Sequence, residues 1–399
     1  METGMTDRDA ENQSNPVREK TLLTRLCSLA DYFTGTIKPL ERWLARKPYP
    51  LCFVNACCRA FGQPIFLNNP ISGLIIMVGL FVQSPWQACC GILGLFVAQL
   101  TAVAMRQPKG AVDSGGVAFQ GLLTGLVIPA LTRVTEWHGL LLLPIIFSSI
   151  FSAILASALG NLLGKWGLPA FNLPFNMATF IFVAASGPEN PYFGPAPSAT
   201  DLKAADVARL DQTTANDTGE PISWVLILQA IPVGIGQCYG CDNLITGCLM
   251  ALAMLICSPI IFLHGVIGSI LGALTGLAMA APLSDIYAGL WGYNSVLTCA
   301  SVGGFFFVLN WPSHLTALFS AIFAAAVKGA MSAVLMPAGL PEIAFPFCIT
   351  AGLFLLVTSE SKLLMRVPMD KITWPEDHRR RYNPRGVANA QEGEALEVT

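Results

Sequence analysis

The strongest constraint on this 399-residue chain is that its apolar segments occur in two matching sets. Three pairs of motifs occur in the same order in both halves, at offsets of 174 residues (237 − 63), 174 residues (293 − 119) and 172 residues (339 − 167). The pairs are Gln63-x4-Asn68-Asn69-Pro70 with Gln237-x4-Asp242-Asn243-Leu244, Phe119-Gln120-x-x-Leu123 with Tyr293-Asn294-x-x-Leu297, and Gly167-Leu168-Pro169-x4-Pro174-Phe175 with Gly339-Leu340-Pro341-x4-Pro346-Phe347. Such ordered self-similarity indicates an internal duplication.

The composition is that of a polytopic membrane protein. Hydrophobic residues make up 53% of the chain and charged residues only 12%, whereas a soluble globular protein has roughly 25% charged residues. The 36 Gly and 27 Pro also fit membrane helices, which carry more of both than soluble helices do. The net charge of −2 provides no basic field, so no nucleic-acid partner is expected.

The apolar residues divide the chain into five regions. We predict a cytoplasmic N-terminal arm (1–48), a first membrane repeat (49–187), an extracellular linker (188–221), a second membrane repeat (222–360) and a cytoplasmic C-terminal tail (361–399). Each repeat holds six apolar stretches, many of them close to the ~20 residues that a spanning helix needs. The stretches are 51–66, 70–86, 88–105, 116–131, 139–160 and 169–186, then 222–239, 244–263, 265–282, 288–309, 312–337 and 340–358.

Charge predicts how these regions are oriented. The first 50 residues hold eight Lys and Arg and the tail after 358 holds seven, whereas the linker holds two against six acidic residues. Cytoplasmic loops are enriched in Lys and Arg, so both termini are predicted to be cytoplasmic and the linker extracellular. The linker contains Asn216-Asp217-Thr218, an N-glycosylation acceptor triplet.

This orientation requires an odd number of crossings in each repeat. Because each repeat has six apolar stretches, either one stretch enters without crossing or two share a span. An odd-numbered repeat that is duplicated in sequence is inverted in the membrane, and in transporters of this kind the substrate site lies where the repeats meet. The fold class predicted from the sequence is therefore an all-α polytopic membrane protein with two inverted-topology repeats and a pore at their pseudo-twofold interface.

Two glutamines are candidate solute-binding residues. Gln63 and Gln237 each lie five residues before a helix-start signal, Asn68-Asn69-Pro70 or Asp242-Asn243. A glutamine in an apolar segment is costly unless its amide is hydrogen-bonded. The alternative is a pair of ordinary helix starts. An amide both donates and accepts hydrogen bonds, so a pair related by the repeat suits a neutral, hydrogen-bonding solute.

Apolar residues accompany both amides and could form the walls of a flat slot. Packing alone is the alternative for aromatic and leucine residues at helical spacing. The candidates are Phe66, Phe119, Leu123, Tyr293 and Leu297.

Proline pairs recur at the end of both repeats, in residues 168–175 and 340–347. A proline inside a helix frees the carbonyl four residues earlier, and in a membrane such carbonyls are tolerated where they line a cavity. The two segments could therefore present a column of acceptors to a solute. A kinked structural helix is the alternative.

Charges are scarce in the apolar stretches, and outside Asp242 and Asn243 none comes near repeating. A proton- or sodium-coupled carrier usually carries paired intramembrane carboxylates, so their scarcity favours passive permeation of an uncharged solute. The four histidines (138, 264, 314 and 378) are too dispersed in sequence to suggest a metal cluster or a catalytic triad, so we expect no enzyme, cofactor or metal site. The main charged residues in these stretches are Asp242, Asp285, Glu342, Lys165 and Lys328.

Four longer motifs are Phe-Leu-Asn-Asn-Pro-Ile-Ser-Gly (66–73), Leu-Pro-Ala-Phe-Asn-Leu-Pro-Phe-Asn (168–176), Ile-Pro-Val-Gly-Ile-Gly-Gln-Cys-Tyr-Gly-Cys-Asp-Asn (231–243) and Asp-Ile-Tyr-Ala-Gly-Leu-Trp-Gly-Tyr-Asn-Ser (285–295). They strongly resemble the vertebrate urea transporters, and the resemblance extends from about residue 30 to about residue 380. It implies passive transport of urea by a multi-pass plasma-membrane protein that contacts lipid and forms a homotrimer, with one channel-like pore in each protomer. It also implies five crossings and one re-entrant pore helix in each repeat.

The same resemblance implies a role for each candidate residue. Urea would bond to the amides of Gln63 and Gln237, and a ladder of backbone carbonyls on the pore helices would carry it through the constriction. It would stack in slots whose walls are the residues Phe119, Leu123, Tyr293 and Leu297.

This chain departs from the family pattern at the pore midpoint. Family members carry Thr in Leu-Pro-x-Phe-Thr-x-Pro-Phe and in its second-half counterpart, where this chain has Asn172 and Ala344. The first-half pattern Gly-Leu-Tyr-Gly-Tyr-Asn is replaced by residues 115–120, Gly-Gly-Val-Ala-Phe-Gln. An alternative function is therefore a variant pore for another small neutral solute, such as ammonia, water or a urea analogue.

Overall fold

The structure, a computed structural model, describes residues 32–132, 137–187, 190, 192–193, 222–357 and 364–382. Within these ranges every regular element is a helix, apart from isolated β-bridges such as the one between Phe307 and Arg366. The predicted all-α class is therefore confirmed. The glycosylation triplet at Asn216 lies outside the described residues, as do most of the predicted N-terminal arm and the end of the tail.

The helices form two sets with the same order of long and short elements. The short helix α1 (Lys38–Leu44) precedes the first set, and α16 (Pro375–Tyr382) follows the second. The first set is α2 (Tyr49–Ala60), α3 (Pro70–Gln83), α4 (Pro85–Ala104), α5 (Lys109–Asp113), α6 (Ala118–Leu131), α7 (Leu142–Gly164) and α8 (Leu173–Ser186). The second set is α9 (Trp224–Gly236), α10 (Leu244–Cys257), α11 (Pro259–Ala278), α12 (Leu283–Tyr287), α13 (Tyr293–Ala300), α14 (Trp311–Leu335) and α15 (Phe345–Leu356).

In the described part of the chain, four helical segments are long and apolar enough to cross a membrane. They are Pro85–Ala104, Gly139–Gly164, Pro259–Ala278 and Trp311–Ala338, and they contain 20, 26, 20 and 28 residues. The pair Trp224–Tyr239 and Leu244–Cys257, bent by 79°, forms a fifth span if it is counted as one. Because a helix needs ~20 apolar residues to cross the hydrocarbon core, these segments mark a polytopic membrane protein.

The predicted helix-start signals are confirmed at α3 and α10. The side-chain oxygen of Asn69 accepts hydrogen bonds from the backbone nitrogens of Ile71 at 2.9 Å and Ser72 at 3.1 Å. The side-chain oxygen of Asn243 accepts matching bonds from Ile245 at 2.9 Å and Thr246 at 3.1 Å. Each asparagine satisfies backbone donors that the first turn of a helix leaves without partners.

Two helices begin earlier than the apolar stretches 88–105 and 265–282 predicted. Helix α4 begins at Pro85 and α11 at Pro259, each directly after a serine N-cap. The hydroxyl of Ser84 accepts from the backbone nitrogen of Gln87 at 3.3 Å, and that of Ser258 from Ile261 at 3.2 Å. Serine at the N-cap followed by proline is a local start signal, which a boundary drawn from hydropathy alone overlooks.

The proline pairs do not kink a helix, so the alternative interpretation of the two segments as a kinked structural helix is wrong. Pro174 and Pro346 lie in the first turns of α8 and α15, where the missing N–H removes no helical bond. Pro169 and Pro341 lie in the loops before those helices. The segments are helix entrances rather than bent helix interiors.

Helices α3 and α10 pack against each other through equivalent contacts. The hydroxyl of Ser72 donates to the carbonyl of Ala253 at 2.8 Å, and the hydroxyl of Thr246 donates to the carbonyl of Gly79 at 2.9 Å. The two bonds are equivalent under the repeat, because Thr246 corresponds to Ser72 and Ala253 to Gly79 (246 − 72 and 253 − 79 both give 174). The halves therefore contact each other through corresponding residues.

The C-terminal segment 364–382 folds back onto the second half. Its backbone pairs with the chain after α13, since Val367 donates to the carbonyl of Phe306 at 2.8 Å. The carboxylate of Glu376 accepts from the hydroxyl of Ser258 at 2.8 Å and from the backbone nitrogen of Ile260 at 3.0 Å. A carboxylate at this position stabilises the N-terminus of α11 by pairing its free N–H groups.

Candidate functional site

The two predicted glutamines occupy equivalent positions at opposite halves of the fold. Gln63 begins the single turn Gln63–Ile65 after α2, and its Nε2 donates to the carbonyl of Ser114 at 2.7 Å. Gln237 begins the turn Gln237–Tyr239 after α9, and its Nε2 donates to the carbonyl of Ala288 at 2.8 Å. One N–H of each amide is thus fixed, and among the described residues Oε1 and the second N–H have no further partner.

The predicted apolar residues meet in one buried cluster. Phe119 and Tyr293 lie at the starts of α6 and α13, and Leu123 and Leu297, one turn later in each helix, are fully buried. The side chains of four predicted residues belong to this cluster, and those of two more pack against it from partly exposed positions. The buried members are Leu123, Tyr293, Leu297 and Ala344, and the partly exposed ones are Phe66 and Phe119.

Further phenylalanines surround Phe66 that the sequence reasoning did not select. The ring centroid of Phe66 lies 4.8 Å from that of Phe305 and 6.0 Å from that of Phe347. The ring of Phe171 also contacts Phe347, at 5.3 Å and almost at a right angle. The run Gly303-Gly304-Phe305-Phe306-Phe307 is the sequence signal that could have located this aromatic cluster.

Gln120 fixes the entrance of α8. Its Nε2 donates to the carbonyl of Phe171 at 2.7 Å, and its Oε1 accepts from the backbone nitrogen of Phe175 at 3.1 Å. Phe171 has a φ of 49°, in the left-handed region that a bulky residue seldom adopts. The two bonds of one amide therefore hold a strained turn in place.

Asn294 plays the same part in the second half. Its Nδ2 donates to the carbonyl of Ile343 at 3.3 Å, and its Oδ1 accepts from the backbone nitrogen of Phe347 at 3.0 Å. The hydroxyl of Tyr293 also donates to the Ile343 carbonyl. Phe119 has no hydroxyl, so this additional bond exists only in the second half. Sequence reasoning recorded Gln120 and Asn294 as motif matches without assigning them this role.

The entrances of α8 and α15 meet at the midpoint residues. Asn172 and Ala344 are the N-cap residues of these helices, and each is only 4% exposed. The side-chain oxygen of Asn176 accepts from the backbone nitrogen of Ala344 at 3.1 Å. Among the described residues the buried Nδ2 of Asn172 has no hydrogen-bond partner. Asn176, which sequence reasoning missed, is an amide one turn into a mostly apolar helix.

A cavity of about 440 Å³ adjoins the Gln63 end of the fold, because Ser114, the partner of Gln63, is part of its wall. Arg59 is buried beside it and donates to the carbonyls of Asn68 at 2.7 Å and Thr36 at 2.8 Å. The cavity carries charges of both signs. Its ionisable residues, other than cysteine, are Glu41, Lys47, Arg59, Lys109 and Asp113.

Two of the histidines that are distant in sequence are close in space. Nε2 of His264 in α11 lies 3.1 Å from Nδ1 of His314 in α14, a contact that their separation in sequence did not suggest. Within the described part of the chain no three His, Cys, Asp or Glu side chains are grouped so that they could hold a metal ion.

Comparisons with known proteins agree with the motifs. The family model described as "Urea transporter" matches residues 54–359. The chain is 40% identical to Urea transporter 1 of Capra hircus and to that of Ovis aries, in each case over 355 residues that cover 89% of this chain and 90% of the relative. It is 39% identical to Urea transporter 1 of Rattus norvegicus over 357 residues, with the same coverage of both chains. The resemblance inferred from the motifs is thereby confirmed: this chain belongs to the urea transporter family.

Proposed function

We propose that this protein carries urea across the membrane by passive, channel-like diffusion through a selective pore in each protomer. Its pathway runs between the two halves, from Gln63 at one end, past the midpoint residues Asn172 and Ala344, to Gln237 at the other end. The observation that carries the proposal is the pair of matched bonds from Gln63 to Ser114 and from Gln237 to Ala288. Family membership supports urea as the solute.

The fixed amides suit a small planar amide as the permeant. Each glutamine keeps one acceptor and one N–H for a solute, and urea offers both complementary groups. A preorganised partner lowers the entropic cost of binding, because the side chain is already held by its bond to a loop carbonyl.

The apolar cluster supports a flat slot beside each amide. Phe119 with Leu123, and Tyr293 with Leu297, lie one turn apart on α6 and α13 and belong to the same cluster as Phe66. Aromatic faces bind flat solutes through dispersion without supplying a hydrogen bond. A planar solute would therefore slide between these walls while its edges bond to the amides.

The midpoint supports selection against cations. Helices α8 and α15 contain 14 and 12 residues, and their N-terminal ends lie together because Asn176 bonds to Ala344. A helix N-terminus carries a partial positive charge, so two such ends repel ammonium more than urea. The unpartnered Nδ2 of Asn172 offers a donor to a solute carbonyl at the same place.

The inverted arrangement of the repeats is part of the proposal. The contacts between α3 and α10 are reciprocal, as expected when a twofold rotation relates two halves. Five crossings and one re-entrant helix per half would include the shorter apolar helices Pro70–Gln83, Ala118–Leu131, Leu173–Ser186 and Phe345–Leu356.

Transport is proposed to be uncoupled from ion gradients. Lys328 and Glu342 are a buried charge pair in the described membrane helices and their loops, and they bond to each other at 3.4 Å. Because the carboxylate of Glu342 is neutralised by Lys328, it is not available to bind the coupling ion of a coupled carrier.

A second candidate function, permeation of ammonia, water or a urea analogue, is favoured by the midpoint. Asn172 and Ala344 replace the threonines of the family pattern, and an alanine side chain provides no hydrogen bond to a polar solute. Measuring several solutes on the same vesicles separates the two functions.

Assembly, location and topology complete the proposal. We propose a homotrimer in the plasma membrane with lipid around it, both termini in the cytoplasm and Asn216 glycosylated outside. Expression in a glycosylating cell should give a gel mobility shift that glycosidase removes and Asn216→Gln abolishes. A shift retained in Asn216→Gln and lost in Asn12→Gln would contradict this topology.

The test of the proposed function is stopped-flow light scattering on proteoliposomes of purified protein. Urea permeability should exceed that of empty vesicles and should be the same with and without proton or sodium gradients. Permeability that requires either gradient would contradict passive transport. Water or ammonia permeability without urea permeability would favour the second candidate.

A further inference from the structure

One charged cluster of the second half has no counterpart in the first. Nζ of Lys328 in α14 lies 3.4 Å from Oε1 of Glu342, and the two side chains are 5% and 12% exposed. The residue that corresponds to Glu342 is Ala170 (342 − 172), and α7, which corresponds to α14, contains no charged residue. The pair is therefore present in only one half of the duplicated fold.

The surroundings of the pair are aromatic and acidic. Nζ of Lys328 lies 4.8 Å from the ring centroid of Trp291, close enough for an attractive cation–π contact. Asp285, half-buried on α12, interacts electrostatically with both Lys328 and Glu342. Burial of such a pair gains little stability over apolar residues of the same size, so stability alone does not explain its presence.

Glu342 directly precedes a residue in a strained backbone conformation. Ile343 has a φ of 44°, and a β-branched residue stays in the left-handed region only where its surroundings hold it there. The carbonyl of Ile343 accepts from both Tyr293 and Asn294. The matching carbonyl of Phe171 accepts from Gln120, and the residue before Phe171 is an alanine.

We propose that Lys328 and Glu342 are positioning residues that fix the strained backbone of Ile343. Because the carbonyl of Ile343 accepts from the hydroxyl of Tyr293, the ion pair sets where the Tyr293 ring stands and hence the width of the second slot. The inference rests on the proposed passage of urea along Tyr293. If the ion pair holds Tyr293 in this way, the second slot is the more rigid of the two and is the one that rejects bulkier planar amides.

Two single variants and one double variant test the proposal. Lys328→Met and Glu342→Gln each leave one buried charge unpaired, so both should unfold at lower temperature in detergent. The double variant Lys328→Met/Glu342→Gln removes both charges and should recover the thermal stability of the wild type. Its ratio of methylurea to urea permeability in proteoliposomes should nevertheless rise at least about threefold, because a slot that loosens loses part of its discrimination by size.

A third variant changes the same backbone position without changing any charge. In Ile343→Gly the residue at position 343 can adopt both positive and negative φ, so the backbone is held less firmly there and the permeability ratio should rise in the same direction. This variant keeps the test decisive if the double variant does not fold. Lys165→Met is the matched control, since Lys165 is an exposed lysine at the end of α7, and it should leave the ratio unchanged.

The outcomes separate this inference from the proposed function. Wild-type protein that moves urea, together with a folded double variant or Ile343→Gly of unchanged ratio, would overturn the positioning role alone. Wild-type protein that moves no urea would overturn the proposed function and this inference with it. A double variant with a raised permeability ratio and recovered thermal stability supports the inference. An ion pair that only stabilised the fold would predict that the double variant recovers both the thermal stability and the permeability ratio of the wild type.

Discussion

The side chain of Asn176 accepts a hydrogen bond from the backbone nitrogen of Ala344 at 3.1 Å and thereby joins the entrances of α8 and α15. Its Nδ2 also donates to the thiol of Cys348, the residue that corresponds to Asn176 in the second half, at 3.5 Å. The starts of two helices from different halves are thus held together at the midpoint of the proposed pathway.

Asn176→Ala should therefore destabilise the protein and reduce urea flux. The change leaves the buried backbone N–H of Ala344 without a partner, which costs about 1–3 kcal/mol. Thermal unfolding in detergent measures the loss, and flux per folded protein measures its effect on the pore. Asn161→Ala, an exposed asparagine on α7, is the control and should change neither. Equal unfolding temperatures for wild type and Asn176→Ala would show that the bond does not join the helices.

Tyr293→Phe should have a smaller effect than removal of Asn294. It deletes the hydroxyl bond to Ile343, but Asn294 still donates to the same carbonyl, so the cost should be about 0.5–1.5 kcal/mol. Asn294→Leu removes bonds to Ile343 and Phe347 together and should cost more. Chemical or thermal unfolding of the two variants provides the comparison, and the opposite order would show that the hydroxyl, not the amide, fixes this turn.

Restoring threonine at the midpoint should change selectivity more than stability. Asn172→Thr with Ala344→Thr exchanges an unpartnered amide for a hydroxyl and adds a second hydroxyl on the opposite side. A net hydrogen bond contributes about 0.5–1.5 kcal/mol, so gains and losses for urea nearly cancel while those for ammonia and water do not. The measurement is the ratio of urea to ammonia and water permeability. If this ratio is the same in wild type and the double variant at equal surface density, these positions do not set what passes.

Local signals in the sequence were sufficient for the helix entrances. Asn69 and Asn243 were predicted as starts of helices because an N-cap acts through bonds to its own first turn. The N-caps Ser84 and Ser258 were an equally local signal. They were missed because the helix boundaries were drawn from hydropathy alone. Contacts between residues that are close in sequence, such as these N-caps, could therefore be predicted from the sequence alone.

Contacts across the fold could not be read in this way. Gln120 reaches Phe171, 51 residues away, and Asn176 reaches Ala344, 168 residues away. Lys328 contacts Glu342 only because α14 packs against the loop before α15. Periodicity and motif spacing describe a residue's own element, and they contain no information on which distant backbone group its side chain will meet.

Docking of the C-terminal segment should weaken in acid. Nδ1 of His378 donates to the carbonyl of Gly304 at 3.2 Å, and Nε2 accepts from the backbone nitrogen of Thr373 at 2.9 Å, so the ring is neutral. Burial lowers the pKa of His378 below its ordinary value, although Gly304 and Asp377 act in the opposite direction and Arg381 reinforces the lowering. The native state binds the proton on His378 less tightly than the unfolded state does. The stability that the neutral His378 ring gives to the docked segment is therefore present above pH about 6.5 and is lost as pH falls below it.

Hydrogen exchange of residues 369–382 as a function of pH measures this docking. Protection should fall between pH about 7 and about 5 in the wild type. In His378→Gln protection should change less over the same range, because glutamine does not titrate. The same pH dependence in both proteins would assign the effect to another group.

Urea flux through the Gln63 and Gln237 variants tests the central claim most directly. Each of Gln63→Leu and Gln237→Leu removes a polar partner of the solute, worth about 1–3 kcal/mol, so flux per folded protein should fall about 5- to 150-fold. The matched control is Gln99→Leu, a fully buried amide that donates to the carbonyl of Val112 at 3.0 Å and has no counterpart in the second half. The account predicts that both pore variants lose urea flux while Gln99→Leu, once folded, retains it; wild-type flux in Gln63→Leu and Gln237→Leu would contradict it.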